Sequence, residues 1–380
     1  MGVLISNGNL LTVGGKLATA NAAPTTPYME AEYVEDVDID GITNHYIKRA
    51  KLYNHTAIYA YEFAGQNQLK NLDCSDASNN ITAIEAMAFN QAQVNGLVLP
   101  NTISVLGNGC FNSAYITTLT VPPLVTVLPN NAFFIIQPLY NNETGEELPI
   151  NIILPQNLTK IGISCFDGAS IKQIAIPDTV TEIGDGAFNY CEQLASIALP
   201  SGLQKISSRM LADCRSLTSI TIPASVTEIA SQAFASSGLT SITIPSTVTT
   251  LGSSAFNNCA SLAHIDIQAH VIEIPEGFAE ESGRTSVTLP DTVETIGSRA
   301  FISSRARLTE ITIPASVTSI GDYAFAQNEA IMTVTCLAVT PPVLGRNALF
   351  GLTIKVPAAS VAAYKAADGW KDYASYIVAM

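Results

Sequence analysis

The sequence predicts a β-rich solenoid of about thirteen units of 22–24 residues, ending in a helical cap. Self-similar segments are the first observation: LTSITIPASVTEIASQAF (217–234), LTSITIPSTVTTLGSSAF (239–256) and LTEITIPASVTSIGDYAF (308–325). The second is the alternation of apolar and small polar residues before a proline in each unit. Self-similarity at a fixed period is typical of stacked repeats, which cannot bury their apolar faces singly.

A column of phenylalanine or leucine marks the same point in every unit. Its members are Phe63, Phe89, Phe111, Phe133, Phe166, Phe188, Leu211, Phe234, Phe256, Phe278, Phe301, Phe325 and Leu349. Their successive spacings are 26, 22, 22, 33, 22, 23, 23, 22, 22, 23, 24 and 24 residues. This regularity predicts one continuous array rather than several unrelated domains.

Each unit carries the frame L-x-x-I-x-I-P-x-x-V-T-x-I-G-x-x-A-F. Alternation before the proline predicts a short strand with one buried face, which the proline ends. The V-T-x-I-G stretch alternates as well and predicts a second short strand. The glycines that follow it permit a tight or positive-φ turn; they are Gly107, Gly162, Gly184, Gly252, Gly297 and Gly321.

The frame resembles the BspA-like family of leucine-rich repeats, over about residues 58–380. The tail VPAASVAAYKAADGWKDYASYIV is similar to the family's usual ending. The resemblance implies a leucine-rich-repeat solenoid of the kind found on the surfaces of anaerobic gut and oral bacteria and of some protists. It also implies adhesion or partner binding, with a cell-surface or secreted location.

Composition narrows the function classes. The net charge is −14, from 18 Lys and Arg against 32 Asp and Glu, which argues against a nucleic-acid or anionic-membrane surface. The sequence contains no run of about 18 consecutive apolar residues, so we predict no membrane span. The N-terminus lacks the pattern of a signal peptide, which leaves removal of a signal, an intracellular protein and a phage-associated protein all open.

Four regions are predicted along the chain. Residues 1–27 form a β-hairpin segment with strong turns at Asn7-Gly8 and Gly14-Gly15 and a linker, which either docks on the solenoid or pairs with another chain. Residues 28–57 form an N-terminal cap, 58–356 the solenoid and 357–380 a C-terminal cap. In that cap we expect a helix over 360–368, with Ser360 as N-cap, and the single Trp370 as a lid on the core.

The 33-residue spacing between Phe133 and Phe166 places about eleven extra residues near QPLYNNETGEELP (137–149). They must protrude as a loop. Long loops on rigid scaffolds often carry function, but a tolerated insertion is the interpretation we favour.

Catalytic and metal sites find little support. The four histidines form no zinc-ligand spacing or Ser/His/Asp arrangement, so we expect no enzyme and no cofactor. Asp36, Asp38, Asp40 and Gly41 begin like a calcium loop, but its twelfth position is Ile47 instead of glutamate. An acidic strand ending in an Asp-Gly turn is the favoured alternative.

Five of the seven cysteines occupy packing positions of the repeat. Cys191, Cys214 and Cys259 share one slot, and Cys110 and Cys165 replace the alanine before phenylalanine. Buried thiols explain them better than a disulfide framework or a metal site.

Outward positions of the pre-proline strands form a row of small polar residues, which we predict to be the contact surface for a protein or glycoprotein. The candidates are Ser219, Thr221, Ser241, Thr243, His264, Asp266, Ser286, Thr288, Glu310 and Thr312. Short side chains lose little rotamer entropy on binding, although Ser and Thr are also ordinary exposed strand residues. A structural subunit of a phage-like or cell-surface assembly, self-associating through residues 1–27, is the alternative.

Overall fold

The computed structural model describes the chain except residues 1, 2, 7, 8, 12–26, 38–42, 67, 68, 70, 95, 96, 142, 143, 284, 304–307, 329–332 and 350–352. The chain divides into two units, residues 1–180 and 181–380. The chain folds as a β-solenoid of about thirteen turns with one short α-helix in its C-terminal segment, which confirms the predicted fold class.

The first unit contains short strands separated by turns. They are β1 Val3–Ser6, β2 Asn9–Leu11, β3 Tyr28–Val37, β4 Thr43–Tyr53, β5 Ala57–Ile58, β6 Asn71–Asp73, β7 Ala83–Ile84, β8 Gln93–Val94, β9 Val105–Leu106, β10 Tyr115–Ile116, β11 Thr118–Thr120, β12 Val127–Leu128, β13 Asn151–Ile153, β14 Lys160–Ile161 and β15 Gln173–Ile174.

An N-terminal sheet of order β2-β1-β3-β4-β6 precedes the repeats. Strands β1 and β2 are antiparallel, with Leu4 opposite Leu11 and Ser6 opposite Asn9. Strand β1 also pairs with β3, so the opening segment docks on the following hairpin of β3 and β4. The predicted Gly14-Gly15 turn lies outside the described residues.

Parallel pairing connects successive turns of the first unit. Ladders join β5, β7 and β9, and further pairs join β8 to β10, β11 to β13 and β12 to β14. The phenylalanine rings stack between turns, with centroids 5.1–5.4 Å apart from Phe63 to Phe166. The Phe133 and Phe166 rings lie 5.1 Å apart in spite of the 33-residue spacing, so the insertion leaves the core undisturbed.

The second unit continues the same pattern. Its strands are β16 Glu182–Ile183, β17 Ser196–Ile197, β18 Lys205–Ile206, β19 Glu228–Ile229, β20 Ser241–Ile244, β21 Thr250–Leu251, β22 His264–Ile267, β23 Glu273–Ile274, β24 Ser286–Thr288, β25 Thr295–Ile296, β26 Glu310–Ile313, β27 Ser319–Ile320, β28 Thr333–Cys336, β29 Val343–Leu344, β30 Thr353–Val356 and β31 Ile377–Ala379. Helix α1 spans Val361–Ala366, between 3₁₀ turns at Ala358–Ser360 and Trp370–Tyr373.

Two kinds of ladder run through the second unit. Strands at the pre-proline position of the repeat form the sheets β20-β22-β24 and β26-β28-β30, and the C-terminal strand β31 extends the latter. The V-T-x-I strands form the sheets β18-β19-β21 and β23-β25-β27-β29. The serine or threonine that precedes valine donates its hydroxyl to a carbonyl of the previous turn. Ser225 bonds Leu203 O at 2.7 Å and Thr247 bonds Val226 O at 2.9 Å, so these hydroxyls act between turns.

One member of the phenylalanine column is out of register. The amide of Phe256 bonds the carbonyl of Phe278, whereas in regular turns it bonds the carbonyl of the alanine, as Phe234 does with Ala255. Phe278 therefore occupies the alanine slot, and Ala279 occupies the phenylalanine slot. The Phe278 ring contacts those of Phe256 and Phe301 edge-on, at interplanar angles of 76° and 78°, instead of stacking. The assignment of Phe278 to the phenylalanine column from the sequence is therefore wrong.

The glycine that follows the V-T-x-I strand in several repeats is required because the backbone of the preceding turn lies too close for a side chain. A positive φ is not the reason. A Cβ on Gly321 would lie 2.5 Å from Ser298 N, and one on Gly297 would lie 2.6 Å from Glu276 N. Neither glycine has a left-handed φ, which appears two residues later, at 58° for Arg299 and 59° for Tyr323. The absence of a side chain at this position thus allows the backbone of one turn to approach the next.

The C-terminal segment covers one end of the second unit's core. Trp370 is fully buried, meets Tyr364 edge-on at 4.7 Å and donates its indole N–H to Pro342 O at 2.8 Å, as a lid on the core requires. The predicted helix over 360–368 is too long, because Ala367 is extended. Ser360 sits at the N-cap position without a side-chain bond, because a 3₁₀ turn already holds its backbone in the helical region.

Candidate functional site

Six of the predicted contact residues lie together on the sheet β20-β22-β24. Ser241, His264 and Ser286 face one another across its strands, as do Thr243, Asp266 and Thr288 in a second row. The Ile242, Ile244, Ile265 and Ile267 side chains between them are buried. Alternation therefore directs the isoleucines to the core and leaves the polar residues on the outer surface.

The two ionisable members of this surface bond to their neighbours. His264 Nδ1 lies 2.7 Å from Ser286 Oγ, and Gln268 Nε2 donates to Asp266 Oδ2 at 2.9 Å. Neighbouring hydroxyl and amide groups thus orient the two ionisable side chains on the outer surface of the sheet.

A second patch of the same kind lies on β26, β28 and β30. Glu310, Thr333 and Thr353 align in one row, and Thr312, Thr335 and Lys355 in the other. Glu310 and Thr312 were predicted. The other four were not predicted from the sequence, because the proline frame degenerates after residue 325. The segments T-V-T-C (333–336) and T-I-K-V (353–356) nevertheless keep the period-two alternation that marks these strands. We call the outward residues of both patches the sheet face.

Ser219 and Thr221 are exposed, as predicted, but they lie outside a strand. The prediction of a pre-proline strand at this turn is wrong. Nothing in their local contacts accounts for the difference, and the sheet face is defined without them.

The sheet face is polar throughout. Its outward side chains are mainly short hydroxyls that can both donate and accept hydrogen bonds, with His264, Asp266, Glu310 and Lys355 as its ionisable groups. Short side chains allow a partner to approach the backbone closely and lose little entropy on binding. Such a surface suits a broad contact more than a small-molecule pocket.

The repeat cysteines are inert packing residues. Cys110, Cys165, Cys191, Cys214 and Cys259 are buried free thiols, as the sequence predicts. Burial raises the pKa of Cys110 and of Cys214 to about 12. The Cys214 and Cys259 sulfurs also lie 3.2 and 3.1 Å from the carbonyls of Phe188 and Phe234, as donors to the preceding turn. A protonated, hydrogen-bonded thiol is neither a nucleophile nor a metal ligand.

Metal chemistry finds no support among the residues that the structure describes, since no group of three or more His, Cys, Asp or Glu side chains is placed to hold an ion there. The candidate calcium loop cannot be placed, because Asp38 and Asp40 lie outside the described residues. Asp36 is opposite Asn44 in the antiparallel pair of β3 and β4. In the described part of the chain, no helix has the length and apolar character to cross a membrane.

Comparison with known protein families identifies the repeat. The family described as "BspA type Leucine rich repeat region" matches in six copies over residues 56–149, 144–237 and 205–332. The matches cover most of the solenoid.

Solved structures of proteins from several bacteria match the chain. A leucine-rich repeat protein from Bacteroides ovatus is 19% identical, with 92% of this chain and 98% of that chain covered and a TM-score of 0.48. A leucine rich cell surface protein from Faecalibacterium prausnitzii is 21% identical, with coverage of 84% and 90% and a TM-score of 0.39. The pneumococcal vaccine antigen PcpA is 18% identical, with coverage of 87% and 85% and a TM-score of 0.46. No curated protein matches the chain.

Proposed function

Because the chain belongs to the BspA-type leucine-rich-repeat family, we propose that it is a noncatalytic binding or adhesion protein at a bacterial cell surface. Its sheet face contacts a protein or glycoprotein partner. No cofactor takes part. The wider family supports this role as a class, since repeat solenoids commonly present extended binding surfaces.

The in-register alignment of outward side chains is the observation that carries the proposal. In the β20-β22-β24 sheet three consecutive strands hold equivalent side chains opposite one another, and the β26-β28-β30 sheet repeats the arrangement. A rigid backbone therefore fixes the positions of many hydrogen-bonding groups in advance. Preorganisation of this kind lowers the entropic cost of forming a broad contact.

The test uses the full chain with Thr243→Arg, Thr288→Arg and Thr312→Arg together. All three side chains are exposed and outward, so arginine there should leave the fold intact and obstruct a flat contact. Binding to immobilised, purified extracellular-matrix glycoproteins and mucins is measured by surface plasmon resonance. We expect at least one of these proteins to bind the wild type and to bind the triple variant at least tenfold more weakly.

The matched control carries Thr250→Arg, Thr295→Arg and Ser319→Arg, which add the same charge to outward positions of β21, β25 and β27. It should bind like the wild type. Equal loss in both variants would show that added charge, and not the sheet face, weakens binding. Full binding by the sheet-face variant would refute the proposed surface.

The second candidate is a structural subunit of a phage-like or cell-surface assembly. It is favoured by the position of β2, which ends the order of the N-terminal sheet and pairs only with β1 among the described strands. An open edge strand is a template for pairing with another chain. Light scattering of the full chain and of a chain lacking residues 1–27 distinguishes the two functions, since only an assembly subunit loses a defined oligomer on deletion.

A further inference from the structure

We propose that an open groove in the first unit, beside the 137–149 insertion, binds a neutral polysaccharide chain. The groove has a volume of about 930 Å³, within the range of about 300–1000 Å³ typical of ligand pockets. The groove shares no residue with the sheet face, which belongs to the second unit. The two proposals are therefore tested independently.

The floor of the groove is a row of three residues on consecutive turns. Gln93 pairs with Tyr115 in the ladder of β8 and β10, and Tyr115 forms a further parallel bridge with Gln137. Parallel neighbours are spaced by about 4.8 Å. Two amides thus flank one phenol ring along the direction of stacking, and Gln91 adds a third, exposed amide at the rim.

The insertion forms a wall that its own backbone holds in place. Leu148 N donates to Leu139 O at 2.7 Å and Asn141 N donates to Glu146 O at 2.8 Å, so the loop folds back as a short hairpin. Its base is fixed to the preceding turn, where Gln137 N donates to Ala114 O at 2.9 Å. The inserted residues are therefore a shaped element, which a merely tolerated insertion does not require.

Two tyrosine rings are exposed at this site. Tyr115 on the floor is 41% exposed and Tyr140 on the wall is 56% exposed. A large aromatic side chain left in water loses the free energy that its burial would provide. An aromatic face in a groove offers that burial to the apolar C–H face of a sugar ring.

Ile135 adds a second unusual feature between the floor and the wall. Its side chain is 39% exposed, and its φ is 52°, in the left-handed region that β-branched residues rarely adopt. The equivalent positions two turns and one turn earlier carry Gln91 and Ser113, with similar φ values of 57° and 54°. The repeat itself therefore imposes this φ, and what distinguishes this turn is the exposed apolar side chain that it places beside the groove.

The chemistry of the lining selects the ligand. Of the described residues that line the groove, none carries a charged side chain, and the carboxylate at its wall is that of Glu147, to which the Tyr140 hydroxyl donates at 3.5 Å. An anionic ligand would therefore find no positive charge there. Glutamine amides each offer a donor and an acceptor, which match adjacent sugar hydroxyls. Exposed rings together with neutral amides fit a saccharide better than a peptide, whose own backbone groups would seek an open strand edge.

The test is affinity electrophoresis of the full chain in native gels that contain starch, a β-glucan, a mannan or a galactan, with heparin as the anionic comparison. We expect at least one neutral polysaccharide to retard the wild type. Tyr115→Ala and Tyr140→Ala should each weaken the apparent affinity about tenfold, whereas Tyr115→Phe, which keeps the ring, should retain most of it.

Tyr190→Ala is the matched control, because Tyr190 is 52% exposed, belongs to the second unit and is not among the residues that line the groove. It should bind like the wild type, as should the sheet-face arginine variant. The proposal is overturned if no neutral polysaccharide retards the chain, if heparin alone does, if Tyr190→Ala weakens retardation as much as the groove variants, or if peptide arrays bind through Tyr115 and the polysaccharides do not.

Discussion

Removal of one ring from the stack of the first unit tests what holds the turns together. Phe111 is fully buried, and its ring lies 5.1 Å from that of Phe89 and 5.4 Å from that of Phe133, at interplanar angles of 4° and 2°. We choose Phe111→Ala because this side chain is enclosed on both sides by aromatic neighbours.

The magnitude follows from burial. A phenylalanine side chain that buries about 200 Å² contributes up to about 5 kcal/mol at about 25 cal/mol per Å². Alanine retains a small part of this and leaves a cavity, and measured Phe→Ala costs are about 3–5 kcal/mol. We expect a loss of about 4 kcal/mol in the free energy of unfolding. Phe111→Leu should cost only about 1–2 kcal/mol, because leucine occupies the same slot at Leu211.

Urea unfolding followed by circular dichroism at 25 °C measures the effect. Phe134→Ala is the control, since Phe134 is adjacent but only half-buried, and it should cost at most about 2 kcal/mol. The m-value is compared as well, because a repeat array can lose part of its turns separately. A loss below about 1 kcal/mol for Phe111→Ala at unchanged m, or a loss no larger than for Phe134→Ala, would refute the reasoning.

Two further predictions concern glycine and cysteine. Gly321→Ala should destabilise the chain by about 1–3 kcal/mol in urea unfolding, because its Cβ would lie 2.5 Å from Ser298 N; Gly202→Ala, whose Cβ would meet Thr181 Cγ2 at 3.8 Å, should be neutral or slightly stabilising, and equal effects would show that close approach is not the cause. Burial raises the pKa of the Cys110 thiol from 9.0 to about 12, so this thiol's contribution to stability is present below about pH 9 and is lost as pH rises towards 12, because the unfolded thiol ionises first. Cys110→Ala should therefore lose less stability than the wild type between pH 8 and 10.5, and parallel pH profiles would contradict this.

The repeat frame was sufficient to predict the fold because periodicity is a property of the chain itself. Alternation before each proline correctly placed most outward and inward residues, and the shared slot of Cys191, Cys214 and Cys259 correctly predicted their burial. Spacing alone also located the insertion. These inferences needed no knowledge of which atoms meet across the turns.

Register between turns could not be obtained in the same way. Phe278 fits the sequence column, yet the pairing of Phe256 N with Phe278 O assigns it to the neighbouring slot. A shift of one residue leaves the spacings within their usual range of 22–24, so only the hydrogen bonds reveal it. The strand predicted at Ser219 and Thr221 is a second case, since its alternation is regular and no ladder forms there.

The features of the candidate sites also fall into those that the sequence determined and those that only the structure decided. The sequence determined that the chain has repeated turns, a polar outer row on its pre-proline strands and an insertion after Phe133, because residue type and spacing fix side-chain alternation and chain length. Only the tertiary structure decided that Gly321 is needed for close approach between turns and that Tyr115 and Tyr140 border one groove. Those facts depend on contacts between residues 22 or more positions apart. The sequence pattern within one repeat contains no information about the spatial distance between such residues.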